Sequence, residues 1–351
     1  MKQALQRLHE GIFISAMPLV LTADRQLDEA GQRRLIRYYF NAGVGGLAVA
    51  VHTTQFEIRD SKHAMLLPVL RLAAEEKEKF AAKTGKSIVL VAGVCGETAQ
   101  AEAEAQLACS LGYDAALLSP GGLAAFDEAY LLQRTAQVAA ILPVIGFYLQ
   151  PAVGGRVFSF HYWEQFCEIQ NVVAIKAAAF DRYLTMDVAR AATLSSRADQ
   201  IALYTGNDDH IVLDLLTQIS FEHHGKTYHA HFCGGLLGHW AVWTHRAVEL
   251  FEEIKRTAKE PAIPAQMLTL AAQITDANAA FFDTANGFKG CIAGIHWVLQ
   301  RQGLMQNIFT LNQQEALSAG QAEEMARVYA AYPALNDDAF VKVFLKDDCN
   351  D

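Results

Sequence analysis

Short apolar runs of strand length alternate with amphipathic runs of helix length along the first two-thirds of the chain. Residues 12–19, 46–51, 87–92, 115–118, 143–148, 172–177 and 200–204 read as strands. Helical patterns follow them at 27–39, 62–84, 98–111, 127–140, 160–169, 184–194 and 210–219. The eighth strand is the least distinct, with 228–233 as its candidate and a long helix expected at 236–256. Eight such alternations predict a (β/α)8 TIM barrel. A doubly wound open sheet is the structural alternative, but no Gly-x-Gly-x-x-Gly follows the first strand. With 351 residues, 52% hydrophobic and 19% charged, the chain can bury a barrel of about 250 residues and has more to place. After Pro261 and Pro264 only helical patterns remain, at 267–282, 290–302 and 321–329. The expected division is therefore a barrel with an N-terminal arm over 1–257 and a C-terminal helical extension over 258–351.

Charge narrows the partners. Lys and Arg number 29 against 38 Asp and Glu, a net −9, so no basic excess is present to neutralise phosphates and no nucleic-acid partner is expected. No run of about 18 uncharged apolar residues occurs, and the apolar start at 12–21 is short and broken by Pro18, so no membrane span and no export signal are expected. The six cysteines, Cys95, Cys109, Cys167, Cys233, Cys291 and Cys349, form no CxxC pair. Reduced thiols in a cytoplasmic protein are the expectation.

Chemistry concentrates at the carboxyl ends of the strands, where barrels carry their active sites. The sixth strand, Val172-Val173-Ala174-Ile175-Lys176-Ala177, has one lysine in an apolar run. Two readings stand. Lys176 snorkels to water at the strand end, or desolvation lowers its pKa so that the amine attacks a carbonyl and forms a Schiff base. The second strand runs into His52-Thr53-Thr54-Gln55, a carboxylate-binding turn or an ordinary strand-to-helix connection. The fifth ends in Tyr148, a proton relay or a core aromatic. The seventh leads into Gly206-Asn207-Asp208, a turn that lines the same mouth or caps a helix. His223, His224, His229 and His231 cluster near the eighth strand, and the His229-x-His231 spacing is one that binds zinc. No acidic third ligand stands nearby at a matching spacing, so solvated or core histidines are the preferred reading.

Taken as an ordered set, these residues resemble the dihydrodipicolinate synthase and N-acetylneuraminate lyase superfamily of Schiff-base lyases. The Thr53-Thr54 pair, Tyr148-Leu149-Gln150-Pro151 and Ile175-Lys176 match its motifs, with Tyr148 and Lys176 standing 28 residues apart. The resemblance covers roughly residues 10–257. It implies that Lys176 forms an imine with pyruvate or a related 2-keto acid and that Tyr148 transfers protons. It implies further that Thr53 and Thr54 bind the keto-acid carboxylate, with Thr53 linking Tyr148 to a relay. Gly206 and Asn207 would line the site, Gly234 would offer its backbone to substrate, and Arg156 is the candidate for holding a second substrate. Gly234 lies in Cys233-Gly234-Gly235, which also reads as a phosphate cradle. No cofactor and no metal are implied, and a homotetramer or homodimer is.

The sequence also departs from the family pattern. His52, Gln55 and Phe56 replace Gly, Gly and Glu, and Ser119-Pro120-Gly121-Gly122-Leu123 lacks the tyrosine that completes the synthase relay. Negligible condensation of pyruvate with aspartate semialdehyde is therefore expected. The functional expectation is a class I lyase or aldolase working through Lys176. Its rivals are a zinc-dependent aldolase built on the His223–His231 cluster and a non-catalytic barrel that binds a keto acid.

Overall fold

The computed structural model describes residues 2–348. Ten strands and thirteen α-helices follow in chain order. The strands are β1 (Phe13–Ala16), β2 (Gly46–Val49), β3 (Val89–Val94), β4 (Ala115–Leu118), β5 (Val144–Leu149), β6 (Val172–Ala178), β7 (Ala202–Thr205), β8 (Ile219–His223), β9 (Lys226–Ala230) and β10 (Gly234–Leu237). The helices are α1 (Lys2–Glu10), α2 (Glu29–Ala42), α3 (Leu66–Thr84), α4 (Thr98–Ser110), α5 (Glu128–Ala139), α6 (Phe160–Cys167), α7 (Arg182–Leu194), α8 (Ile211–Leu216), α9 (Thr244–Thr257), α10 (Ala265–Phe281), α11 (Cys291–Arg301), α12 (Gln321–Ala331) and α13 (Asp338–Asp348). Eight of the strands close a parallel barrel in the order β1-β10-β7-β6-β5-β4-β3-β2. This is the (β/α)8 fold, with helices continuing beyond it.

Local chemistry sets the helix starts. Asp28, Asp127, Ser159 and Asp181 precede α2, α5, α6 and α7, and each side chain accepts a backbone N–H two or three residues into the helix. Gly43 takes a left-handed conformation, φ 99°, to end α2. The barrel strands are buried on both faces, which explains why they read as unbroken apolar runs rather than alternating ones.

The chain separates into two compact units. The first comprises Met1–Phe13, Val91–Leu236 and Ile254–Leu268. It holds β4 to β7 in parallel register, and one irregularity lies between Val144 and Ile145 of β5. The second comprises Ile14–Leu90, Leu237–Glu253 and Thr269–Asp351. Within it the C-terminal helices pack on the β1–β2 region. Tyr38 donates to Asp337 Oδ2 at 2.6 Å, and Asp337 also accepts the His245 N–H at 2.9 Å. Arg37 forks onto both oxygens of Asp348 at 2.5 and 2.7 Å.

Two sequence expectations are corrected here. Residues 228–233 are not the eighth barrel strand. Residues 219–230 instead form an antiparallel hairpin, β8 with β9, between α8 and the true eighth strand, β10. The expected helix at 236–256 starts only at Thr244. The short run of β10 contains two glycines and no β-branched residue, so nothing in its composition announced a strand. A further helix, α13, went unread. Cys349 lies outside the described residues. Among the described residues no helix is long and apolar enough to cross a membrane.

Candidate active site

Every residue of β6 is buried except Lys176, which keeps partial access to solvent. Its Nζ lies over the Phe147 ring, 4.3 Å from the centroid. Gly206, the first residue beyond β7, makes room for it. A Cβ at that position would stand 2.4 Å from Lys176 Cε and 2.8 Å from the Ala178 Cβ, so a side chain there would displace the lysine from its path. Burial brings the Lys176 ammonium down from 10.5 to about 8, with the negative charge of Asp208 opposing the fall. More of the amine is then neutral at physiological pH than in an ordinary lysine, which has almost none.

Phe147 and Lys176 are register partners and share a face of the sheet. Side chains alternate along a strand, so Tyr148 faces the other way. Its ring packs 5.2 Å from that of Trp163 on α6 and 5.6 Å from that of Phe158. Its hydroxyl accepts the Phe158 N–H at 3.2 Å. Burial raises the phenol pKa, and that hydrogen bond works against the rise. The structure therefore does not bring Tyr148 to Lys176. The irregularity after Val144 is the cause. It shifts the pairing by one residue, placing Lys176 opposite 147 rather than 148, and a one-residue slip reverses the face of every side chain.

The turn after β7 is held by a buried polar lattice. Asn207 Nδ2 donates to Asp214 Oδ2 at 3.1 Å and to Thr185 Oγ1 at 3.3 Å, while its Oδ1 accepts the Phe180 N–H at 3.0 Å. Both of its side-chain donor hydrogens are spent on scaffolding, which differs from the substrate-lining role the resemblance gives it. Asp214 also accepts from Thr205 at 2.6 Å and pairs with Arg182 and His210. Burial alone would raise the Asp214 pKa, and these partners hold it below the ordinary value. Asp208, the next residue of the turn, is buried.

The remaining expected contacts are placed as follows. Thr53 and Thr54 lie in a short 3-10 turn beyond β2, and both hydroxyls donate to the Met17 carbonyl, at 3.1 and 2.6 Å. The Arg156 guanidinium donates to the Phe126 carbonyl at 2.5 Å and covers the Phe158 ring. Gly234 is a packing position: a Cβ there would stand 2.5 Å from the Ile12 carbonyl oxygen and 2.7 Å from the Tyr204 ring. It starts β10, where it is the register partner of Tyr204 near the end of β7.

Three of the histidines sit on the β8–β9 hairpin and His231 on the connection from it to β10. His223, His224, His229 and His231 are all exposed. Among the described residues no group of three His, Cys, Asp or Glu side chains is arranged to hold a metal ion. Cavities of about 350 and 410 Å³ flank residues 228–233, and Lys176 lines neither.

Phe147, Asp214 and Arg182 are the residues that sequence reasoning passed over. His210, which precedes α8, and Asp214, four residues on, carried a readable signal. The other pairings depend on register and tertiary approach.

A model of the dihydrodipicolinate synthetase family matches residues 10–220. No curated protein matches the chain. Among solved structures, N-acetylneuraminate lyase from Fusobacterium nucleatum is 17% identical, with a TM-score of 0.71 over 92% of this chain and 99% of that one. Dihydrodipicolinate synthase from Oceanobacillus iheyensis is 14% identical, with a TM-score of 0.74 over 94% and 98%. A prophage protein of the dihydrodipicolinic acid synthase family from E. coli K12, in complex with pyruvate, is 18% identical, with a TM-score of 0.72 over 92% and 98%. Matched in sequence over most of its barrel and in fold over nearly its whole length, the chain belongs to the dihydrodipicolinate synthetase family.

Proposed function

We propose that the protein is a class I lyase that joins or cleaves a bond next to the keto carbon of pyruvate or a related 2-keto acid, through an imine on Lys176. The observation that carries this reading is the Lys176 environment: a buried strand, a glycine-cleared channel and a pKa near 8. Family membership and a pyruvate-bound structural neighbour support it. The imine withdraws electrons from the adjacent carbon and stabilises the carbanion that aldol-type chemistry needs.

In this reading Thr53 and Thr54 bind the keto-acid carboxylate, their hydroxyls leaving Met17 as they do so. Arg156 remains the candidate for a second substrate. Lacking a phenol at 119–123, the enzyme is not expected to condense pyruvate with aspartate semialdehyde. Assembly as a homotetramer or homodimer belongs to the same proposal.

A panel of 2-keto acids with sodium cyanoborohydride tests it. Stable mass should be added once per chain by pyruvate or a close analogue, and an aldehyde panel should then give turnover. Absence of any adduct across the panel would refute the imine. An adduct without turnover on any aldehyde would favour a keto-acid-binding barrel.

A further inference from the structure

An aromatic ring lies against the Lys176 nitrogen. Phe147 on β5, Lys176 on β6 and Tyr204 on β7 are successive register partners and share one face of the sheet. Lys176 Nζ stands over the buried Phe147 ring, 4.3 Å from its centroid. From the β7 side the Gly206 backbone closes on the lysine stem, near enough that a Cβ there would meet Cε at 2.4 Å. The stem is thus confined between a glycine and an aromatic face. Such a face carries negative charge density and attracts a cation within about 6 Å of its centroid, most strongly where water is removed. It offers a neutral amine no such preference.

Imine formation returns a positive charge to this nitrogen. The ammonium first loses a proton to solvent, to which Lys176 keeps partial access. The amine lone pair forms the C–N bond while the carbonyl π pair moves to oxygen. A second proton passes from nitrogen to that oxygen, giving the neutral carbinolamine. Solvent returns a proton to the hydroxyl, which leaves as water as the nitrogen lone pair closes the C=N bond. Ammonium and ketone have become iminium and water, with atoms and charge balanced. The nitrogen is charged at both ends of the sequence and neutral in the amine and the carbinolamine between them.

We propose that Phe147 is a catalytic residue whose ring face stabilises the positive charge developing on the Lys176 nitrogen as the imine forms, a role that rests on the imine reading above. Three other ionisable groups surround the amine. The Tyr204 hydroxyl donates to the Leu8 carbonyl at 2.8 Å, the Tyr148 hydroxyl accepts the Phe158 N–H at 3.2 Å, and the Asp208 charge favours the ammonium. A change confined to the Phe147 ring leaves all three in place.

The role predicts an effect that depends on pH. Without the ring's attraction the ammonium is less stable, so more of the amine is neutral. The charge developing during attack is also less stable, so each neutral amine reacts more slowly. Well below the midpoint of the amine's titration these effects offset one another, and above it only the second remains. With pyruvate and excess sodium cyanoborohydride, Phe147→Leu should trap at close to the parent rate at low pH and about tenfold more slowly on the high-pH plateau, with a midpoint about one pH unit lower. Fluorinated phenylalanines introduced at position 147 keep the ring's shape while draining charge from its face. They should lower plateau and midpoint in step with the number of fluorine atoms. A loss of rate equal at every pH would assign Phe147 to packing, and a plateau indifferent to fluorination would show that the ring's charge is not used. Either result overturns the role and leaves the imine intact, whereas a parent enzyme unlabelled at Lys176 would remove the imine itself and this role with it.

Discussion

Gly206 and Lys176 are in such close approach that a methyl group on the first would stand 2.4 Å from Cε of the second. The lysine therefore owes its path along the β7 end to one missing side chain. Gly206 is not in the left-handed region, so alanine is tolerated by the backbone and the clash is with Lys176 and Ala178 alone. Gly206→Ala should keep the fold, since Lys176 can swing away, and should lower the rate of pyruvate trapping at least tenfold. Trapping at the parent rate would show that the channel does not position the amine.

The pKa of Lys176 makes two linked predictions. Its amine should react with pyruvate at a rate that rises with pH and levels off near 8. Between about 8 and 10.5 the native state binds fewer protons than the unfolded chain, so stability climbs with pH across that window and is reduced by the full amount at pH 7. Lys176→Met should accordingly be more stable than the parent at pH 7, by up to roughly 3 kcal/mol, with the gain shrinking as pH rises. Chemical denaturation at pH 7 and pH 10 measures this. A gain that does not shrink would place the cause elsewhere.

Tyr148→Phe divides the sequence expectation from the geometry. The motif predicts slower trapping, whereas the structure predicts an unchanged rate, since the ring faces α6. Stability should fall by about 1 kcal/mol as the Phe158 N–H loses its acceptor. A tenfold drop in trapping with stability unchanged would restore the relay role.

These differences mark what the sequence could reveal. The barrel was legible because its first seven strands are buried apolar runs between helical patterns, and Lys176 was legible because a lysine breaks such a run. The face on which Tyr148 lies was not, because it turns on a one-residue register shift that leaves no trace in composition. The hairpin at 219–230 was hidden for a related reason. Tyr228–Cys233 looks more like a strand than Gly234–Leu237 does, and barrel closure rather than propensity selects the latter. The scaffolding role of Asn207 depends on Thr185 and Phe180 as well as on Asp214, and the first two lie 22 and 27 residues away, too far to be paired with it by spacing.

In the second unit, Glu315 lies in the segment tied to the β2 turn, where Leu311 N–H donates to Gln55 at 2.6 Å. Burial, with the charge of Glu57 adding to it, pushes the Glu315 carboxyl from 4.5 up to about 7. The native state then binds more protons than the unfolded chain between those values, so its stability is lost as pH rises through about 7. Glu315→Gln should raise the melting temperature at pH 8 and leave it nearly unchanged at pH 5. An equal effect at both values would contradict the burial of the charge.

The most direct measurement is peptide mapping after pyruvate and cyanoborohydride, on the parent enzyme and on Lys176→Ala. The imine account predicts one pyruvate-derived adduct on the peptide carrying Lys176, with lyase activity lost in step. It predicts no adduct and no turnover in a folded Lys176→Ala. Label on another lysine, or undiminished turnover in Lys176→Ala, would contradict it.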